Sequence, residues 1–156
     1  MSGTEDLAEI AERMALVLTD LSMQRMTARV MSAFMFTEEP ALTSGDLCDQ
    51  LGASAGAVSM AIKTLTTLEL LDRVPVPGSR RDHYRLRDDP WAMMASAEPA
   101  GFAAMIKIAD EGLERVDADS EVGRRLTDMR EFYVFIQQEI PRIMERWNEV
   151  KARRGT

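Results

Sequence analysis

The chain's 156 residues suffice for one domain of ordinary size, and a hydrophobic fraction of 46% sets it apart from disordered sequences. A net charge of −7 argues against indiscriminate binding to polyanions, so any contact with nucleic acid must come from a local basic patch. A single cysteine excludes an internal disulfide and fits a reducing cytoplasm, and no apolar run approaches the ~18 residues of a membrane span.

The opening residues carry Glu5, Asp6, Glu9 and Glu12, the reverse of a basic signal-peptide start. Leu7, Ile10, Met14, Val17 and Leu21 then alternate spacings of 3 and 4, which predicts one apolar stripe on a helix. A second helix is expected from Ser22 to a point before Pro40, with Met26, Val30 and Phe34 inward. Residues 1–39 form the expected N-terminal support for dimerisation. Only 6% of the chain is aromatic while methionine reaches 12, which favours a helical, Met-packed core.

Residues 40–88 read as helix, turn, helix and hairpin. Thr43 is a candidate cap with Asp46 three residues on, and Leu47, Cys48 and Leu51 are expected inward. Gly52 suits a left-handed turn, and Ser54 caps the next helix, whose expected inward face is Val58, Ile62, Leu65 and Leu68. A two-stranded wing follows through "PVPGSRRDHYRL", with Tyr84 and Leu86 on one face and His83, Arg85 and Arg87 on the other.

The remaining residues, 89–156, begin with Asp89 and Pro90 as N-cap and first helical residue. A further helix is expected to start at Glu98–Gly101 and to run through Phe102, Met105, Ile106 and Ala109. The clearest periodicity then runs Val122, Leu126, Met129, Tyr133, Ile136, Ile140, Ile143, Trp147, Val150. It is a heptad seam of about four repeats, with a kink expected at Pro141. About 30 residues span ~45 Å, longer than a small domain covers alone. Leu126, Met129, Tyr133, Ile136, Ile140, Ile143 and Trp147 are therefore expected to meet a second chain or its Leu7–Leu21 stripe.

A helix that enters a major groove needs small or polar residues on its outer face. Ser54, Gly56, Ala57, Ser59, Met60, Lys63 and Thr64 supply them. Ser59 suits a base edge or a phosphate and Met60 a thymine methyl, whereas Lys63 and Thr64 suit the backbone. Between Met60 and Arg87 stand six cations (Lys63, Arg73, Arg80, Arg81, Arg85, Arg87) and three acids (Glu69, Asp72, Asp82), so this segment is net +3 in an anionic chain. Arg80 and Arg81 at the wing tip suit a narrow minor groove, and His83 stands beside them.

The stretches "SAGAVSMAIKTLTTLELLDRV", "PGSRRDHYRL" and "DDPW" resemble the MarR-type winged-helix regulators, and most of all their GbsR-like branch. The resemblance covers roughly residues 42–91. It implies a mainly α fold: a winged helix-turn-helix with a two-stranded β wing, and terminal helices that form a dimerisation region. It also implies a homodimer whose recognition helices read half-sites on double-stranded DNA, and often a small-molecule effector; two-fold symmetry then predicts an inverted-repeat operator, and repression is the commonest use of such a design. Trp91, Met94, Phe102 and Met105 lie where an effector pocket is expected, although plain core is the commoner use of such a Met-rich stripe.

Cys48 is expected to be a buried, inert thiol between two helices, and His83, the one histidine, lacks companions for a metal site. Neither a phosphate-cradling glycine loop nor a nucleophile–base pair is present, so no cofactor and no enzyme activity are expected. The rival reading is a helical adaptor that uses the same wing and helix to bind a protein.

Overall fold

The structure is a computed structural model; it describes residues 3–96 and 99–155, and for residues 3–6 and 99 the backbone alone. The chain divides into two compact units, one running to Pro90 and one from Trp91.

The first unit holds α1 (Gly3–Asp20), α2 (Arg25–Met35), β1 (Leu42–Thr43), α3 (Ser44–Leu51), α4 (Ala55–Thr67), β2 (Leu71–Val74) and β3 (His83–Leu86). α1 packs on α2, and α2 packs on α4. The N-terminal helices, expected as a separate support, thus share one compact unit with the helix-turn-helix. Arg29 ties them together: its guanidinium donates to both carboxylate oxygens of Glu12 on α1, and to the Leu51 carbonyl at the end of α3 (3.1 Å). The core is Met31, Val30, Leu47, Val58, Leu65, Leu70 and Leu71, all removed from solvent.

Two helical expectations shift. On α1 the buried residues are Ala15 and Leu18, while Leu7, Ile10, Val17 and Leu21 are exposed. The expected stripe is turned about a quarter of the way round the helix from the packed face. α2 begins at Arg25 instead of Ser22, because Ser22 adopts a left-handed φ of 76° and the Gln24 side chain caps the helix by accepting from the Thr27 N–H (3.0 Å).

The helix-turn-helix follows its local signals closely. Thr43 accepts from the Asp46 N–H (3.1 Å) and the Asp46 carboxylate accepts from the Thr43 N–H (2.8 Å), a reciprocal capping box. Gly52 ends α3 at φ 59°, a conformation that its missing Cβ makes cheap. Ser54 caps α4 through the Ala57 N–H. Leu68, expected inward, is exposed: α4 ends at Thr67, and the left-handed Glu69 (φ 59°) turns the chain so that Leu70 and Leu71 take the core positions. Cys48 is half-buried where full burial was expected.

The wing is part of a three-stranded antiparallel sheet of order β1-β3-β2, one strand more than expected. β3 pairs with β2 from Leu86 opposite Leu71 to His83 opposite Val74. It also pairs with the two-residue β1, Tyr84 opposite Leu42 and His83 opposite Thr43. Between β2 and β3, Pro77 and Gly78 (φ 82°) occupy the central positions of a type II turn, closed by the Ser79 N–H on the Val76 carbonyl (3.1 Å).

The second unit holds most of α5 (Pro90–Ser96), together with α6 (Pro99–Leu113) and α7 (Glu121–Arg154). Pro90 starts α5 as expected, but Asp89 has a left-handed φ of 59°, not the extended backbone of an N-cap. The expected start at Glu98 lies outside the described residues. Ser120 caps α7 through the Gly123 N–H (3.0 Å), and α7 continues through Pro141 for 34 residues, about 51 Å. α6 and α7 pack together. A Cβ on Gly112 would stand 2.6 Å from a methyl of Leu126, and one on Gly123 would collide with the Asp117 carbonyl.

Candidate nucleic-acid interface

α4 divides cleanly into two faces. Val58, Ala61, Ile62 and Leu65 are buried, and Ser54, Gly56, Ser59, Met60, Lys63 and Thr64 are exposed, with Ala57 half-buried. Met60 is the most prominent of these, 66% exposed. The Thr64 hydroxyl donates to the Met60 carbonyl (3.0 Å), which leaves its oxygen free to accept. The N-terminal half of α4 is therefore a shallow, mostly polar surface of the kind that a groove edge can approach.

The wing sorts its charges. Arg73 pairs with Asp82 (3.7 Å), and Arg87 pairs with Asp72 (2.8 Å) and Glu69 (3.7 Å). Two arginines thus occupy all three acids of the segment. Lys63, Arg80, Arg81 and Arg85 are left with no carboxylate at ion-pair distance among the described residues. The formal count of +3 understates what the surface offers, which is four uncommitted cations.

The wing tip is internally ordered. The Ser79 hydroxyl oxygen accepts from the Arg81 N–H (3.2 Å) and is hydrogen-bonded to His83 Nε2 (2.9 Å). The Arg81 guanidinium reaches α3, 3.8 Å from where a Cβ on Gly45 would stand. Asp46 is held below its usual carboxylate pKa, first by the Thr43 N–H and then by the Thr43 hydroxyl; desolvation opposes them, and His83 and Arg81 add smaller lowering contributions.

Arg80 is thus the freer of the two wing-tip arginines, and His83 serves the turn and the sheet. Arg85, Ser44, Arg73 and Tyr84 complete the surface; the sequence counts Arg73 and Arg85 in its cationic segment without making them contact residues, and Ser44 and Tyr84 needed the sheet to be brought there.

In the second unit the expected seam splits. Leu126 packs against Gly112 of α6, Tyr133 stacks on Phe102 (centroids 5.6 Å), and Ile140 shares a cavity with Phe102. Ile143 is exposed, as are Val122 and Val150 and the flanking Phe132 and Phe135. Met129, Ile136 and Trp147 are half-buried. The cavity, about 200 Å³, is lined by Ser96, Phe102, Gln137, Ile140, Pro141 and Met144. Of the expected effector residues it contains Phe102; Met94 and Met105 are half-buried elsewhere and Trp91 is exposed. Among the described residues no three His, Cys, Asp or Glu side chains gather as a metal site would need, and no helix is long and apolar enough to cross a membrane.

Comparison with known proteins agrees with this anatomy. Residues 21–82 match the MarR family model, and residues 89–150 match the model of MmpR5-like MarR family transcriptional regulators. The chain is 25% identical over 150 residues to the HTH-type transcriptional regulator MmpR5 of Mycobacterium tuberculosis (strain ATCC 25618 / H37Rv), covering 96% of this chain and 91% of that one. Its fold is similar to the crystal structure of a transcriptional regulator, with a TM-score of 0.79 and 24% identity over 92% of this chain and 99% of the other. The helix-turn-helix with the first part of the wing, and the C-terminal helices, thus match two models that both carry the MarR name, and the chain is similar to the MarR family of winged-helix transcriptional regulators.

Proposed function

We propose that the protein is a homodimeric, sequence-specific repressor of the cytoplasm that binds an inverted-repeat operator. Each protomer lays the exposed face of α4 in a major groove and its wing in the adjoining minor groove. Ser59 and Met60 read base edges, Ser54, Gly56 and Ala57 bring the start of α4 close to the duplex, and Lys63 and Thr64 hold the backbone. Arg80 and Arg81 enter the minor groove with His83 alongside. The observation that carries this reading is the set of four cations without a carboxylate partner among the described residues, beside a small, polar helix face in a chain of net −7. An adaptor for a protein partner has no need to keep those cations free of the acids around them.

The dimer reading rests on exposed apolar side chains. Leu7, Ile10 and Val17 on α1 with Leu21 just after it, and Phe132, Phe135, Ile143 and Val150 on α7, are left in solvent by a single chain. A second copy would cover them, and two-fold symmetry would set the half-sites about one helical turn (~34 Å) apart or a multiple of it. A small ligand that binds one separation of the two heads better than another would release the duplex; we assign it to the Phe102 end of the C-terminal helices. The wing and "DDPW" favour the GbsR-like branch, while residues 89–150 match the MmpR5-like model.

Selection of bound duplexes from a random pool, with the mass measured in solution, tests the whole. An inverted repeat and twice the chain mass are expected; a single-copy protein, or one that ignores all duplex DNA at low salt, sinks it. Arg80→Ala with Arg81→Ala should flatten the salt dependence by up to about two contacts, a slope change of ~1.8.

A further inference from the structure

The recognition helix and the wing are not separate contact surfaces: an open groove of about 500 Å³ joins them. It is lined by Ser44 at the start of α3, by Ser59, Ile62, Lys63, Thr66 and Thr67 of α4, and by Arg73 and Tyr84 of the sheet. Ile62 is buried and gives it an apolar floor. The other seven side chains are two cations and five hydroxyls, with no carboxylate among them. Such a lining suits a singly charged, oxygen-rich anion. It offers hydrogen-bond donors all round.

We infer that this groove seats one phosphodiester of the operator backbone, with Lys63 and Arg73 as its two cations. The inference rests on the DNA-binding reading and gives the groove its ligand. Lys63 has no acidic partner among the described residues. Arg73 has only Asp82, at 3.7 Å, with both side chains more than 60% exposed, and a pair so exposed is weak and readily exchanged. When the phosphate arrives, Arg73 turns from Asp82 to it. Because α3, α4 and the sheet all contribute to the groove, a phosphate held there fixes the register of the reading helix and the wing together.

The test uses the full-length protein and a selected operator beside a scrambled duplex. Lys63→Ala and Arg73→Ala should each lower the salt slope by about 0.9, and the double variant by about 1.8. That corresponds to roughly a twelve-fold smaller fall in affinity between 50 and 200 mM salt, equal on both duplexes. Both positions are exposed, so the melting temperature should not move; Lys63→Arg and Arg73→Lys should retain the slope.

A scan that replaces one phosphate at a time by methylphosphonate should find one position per half-site whose neutralisation weakens the unaltered protein and leaves the double variant unaffected. A double variant with the full slope, or a scan without such a position, overturns the groove while the DNA reading stands. Failure of the unaltered protein to bind any duplex overturns both.

Discussion

The two units of this chain solve the problem of burying apolar surface differently. Among the described residues, fifteen of the sixteen buried apolar side chains belong to the unit that ends at Pro90; the other contributes only Ala109. In the first unit four helices and a sheet surround a core that includes Met31, Leu47 and Leu65. In the second, α6 covers one side of α7 through Leu126 and Tyr133 and leaves Phe132, Phe135 and Ile143 in solvent. A helix of 34 residues against one of 15 cannot be wrapped by its neighbour alone. The first unit closes its own core, whereas the second leaves apolar surface that the proposed second copy would cover.

That contrast can be broken by mutation. The largest effect is expected for Leu65→Ala, a cavity in the closed core, which should cost about 2–5 kcal/mol in denaturant unfolding at any protein concentration. Ile143→Glu should leave the monomer's core alone and weaken self-association by ~2 kcal/mol or more, about 30-fold in the dimer dissociation constant by sedimentation. If Ile143→Glu unfolded the isolated chain and left assembly intact, the division between closed and open units would be wrong.

Smaller changes sharpen the description of the first unit. Met60→Ala should change which base pair is preferred by about 1–3 kcal/mol at one position per half-site, without altering stability. Thr43→Ala should cost ~1 kcal/mol by removing the cap of α3. It should also change the acid limb of the stability curve. Asp46 has a folded pKa below its unfolded value, so its stabilisation is complete above the unfolded pKa and is lost as pH falls through the folded one. The variant lacks the Thr43 hydroxyl that helps lower that pKa, and its stability should fall less steeply with acid. Least of all, Ser32→Ala should be neutral or stabilising by up to about 1 kcal/mol, because the buried Ser32 hydroxyl has no partner among the described residues.

Sequence reading succeeded where structure is written locally. Thr43 with Asp46, Gly52 and Ser54 each act within four residues of themselves, and all three fall at the expected boundaries. It failed where a residue's role depends on a distant partner. β1 has two residues and no periodicity to detect; it exists because Tyr84 and His83 lie opposite. Leu68 fits the spacing of the α4 stripe, and the turn at Glu69 takes it out of the core. The α1 stripe is real as a pattern, but the face that packs carries Ala15 and Leu18, and Leu7, Ile10 and Val17 of the stripe point elsewhere. The sorting of charges in the wing was also invisible, since a count of arginines and acids does not say which of them meet.

Thr43 belongs to two structures at once: it closes the first turn of α3 and lies opposite His83 in the sheet. One residue thus ties the root of the wing to the start of a helix. If this unit reads a duplex as proposed, a tilt of the wing would be expected to carry the start of α3 with it, and a releasing ligand would then have to shift both.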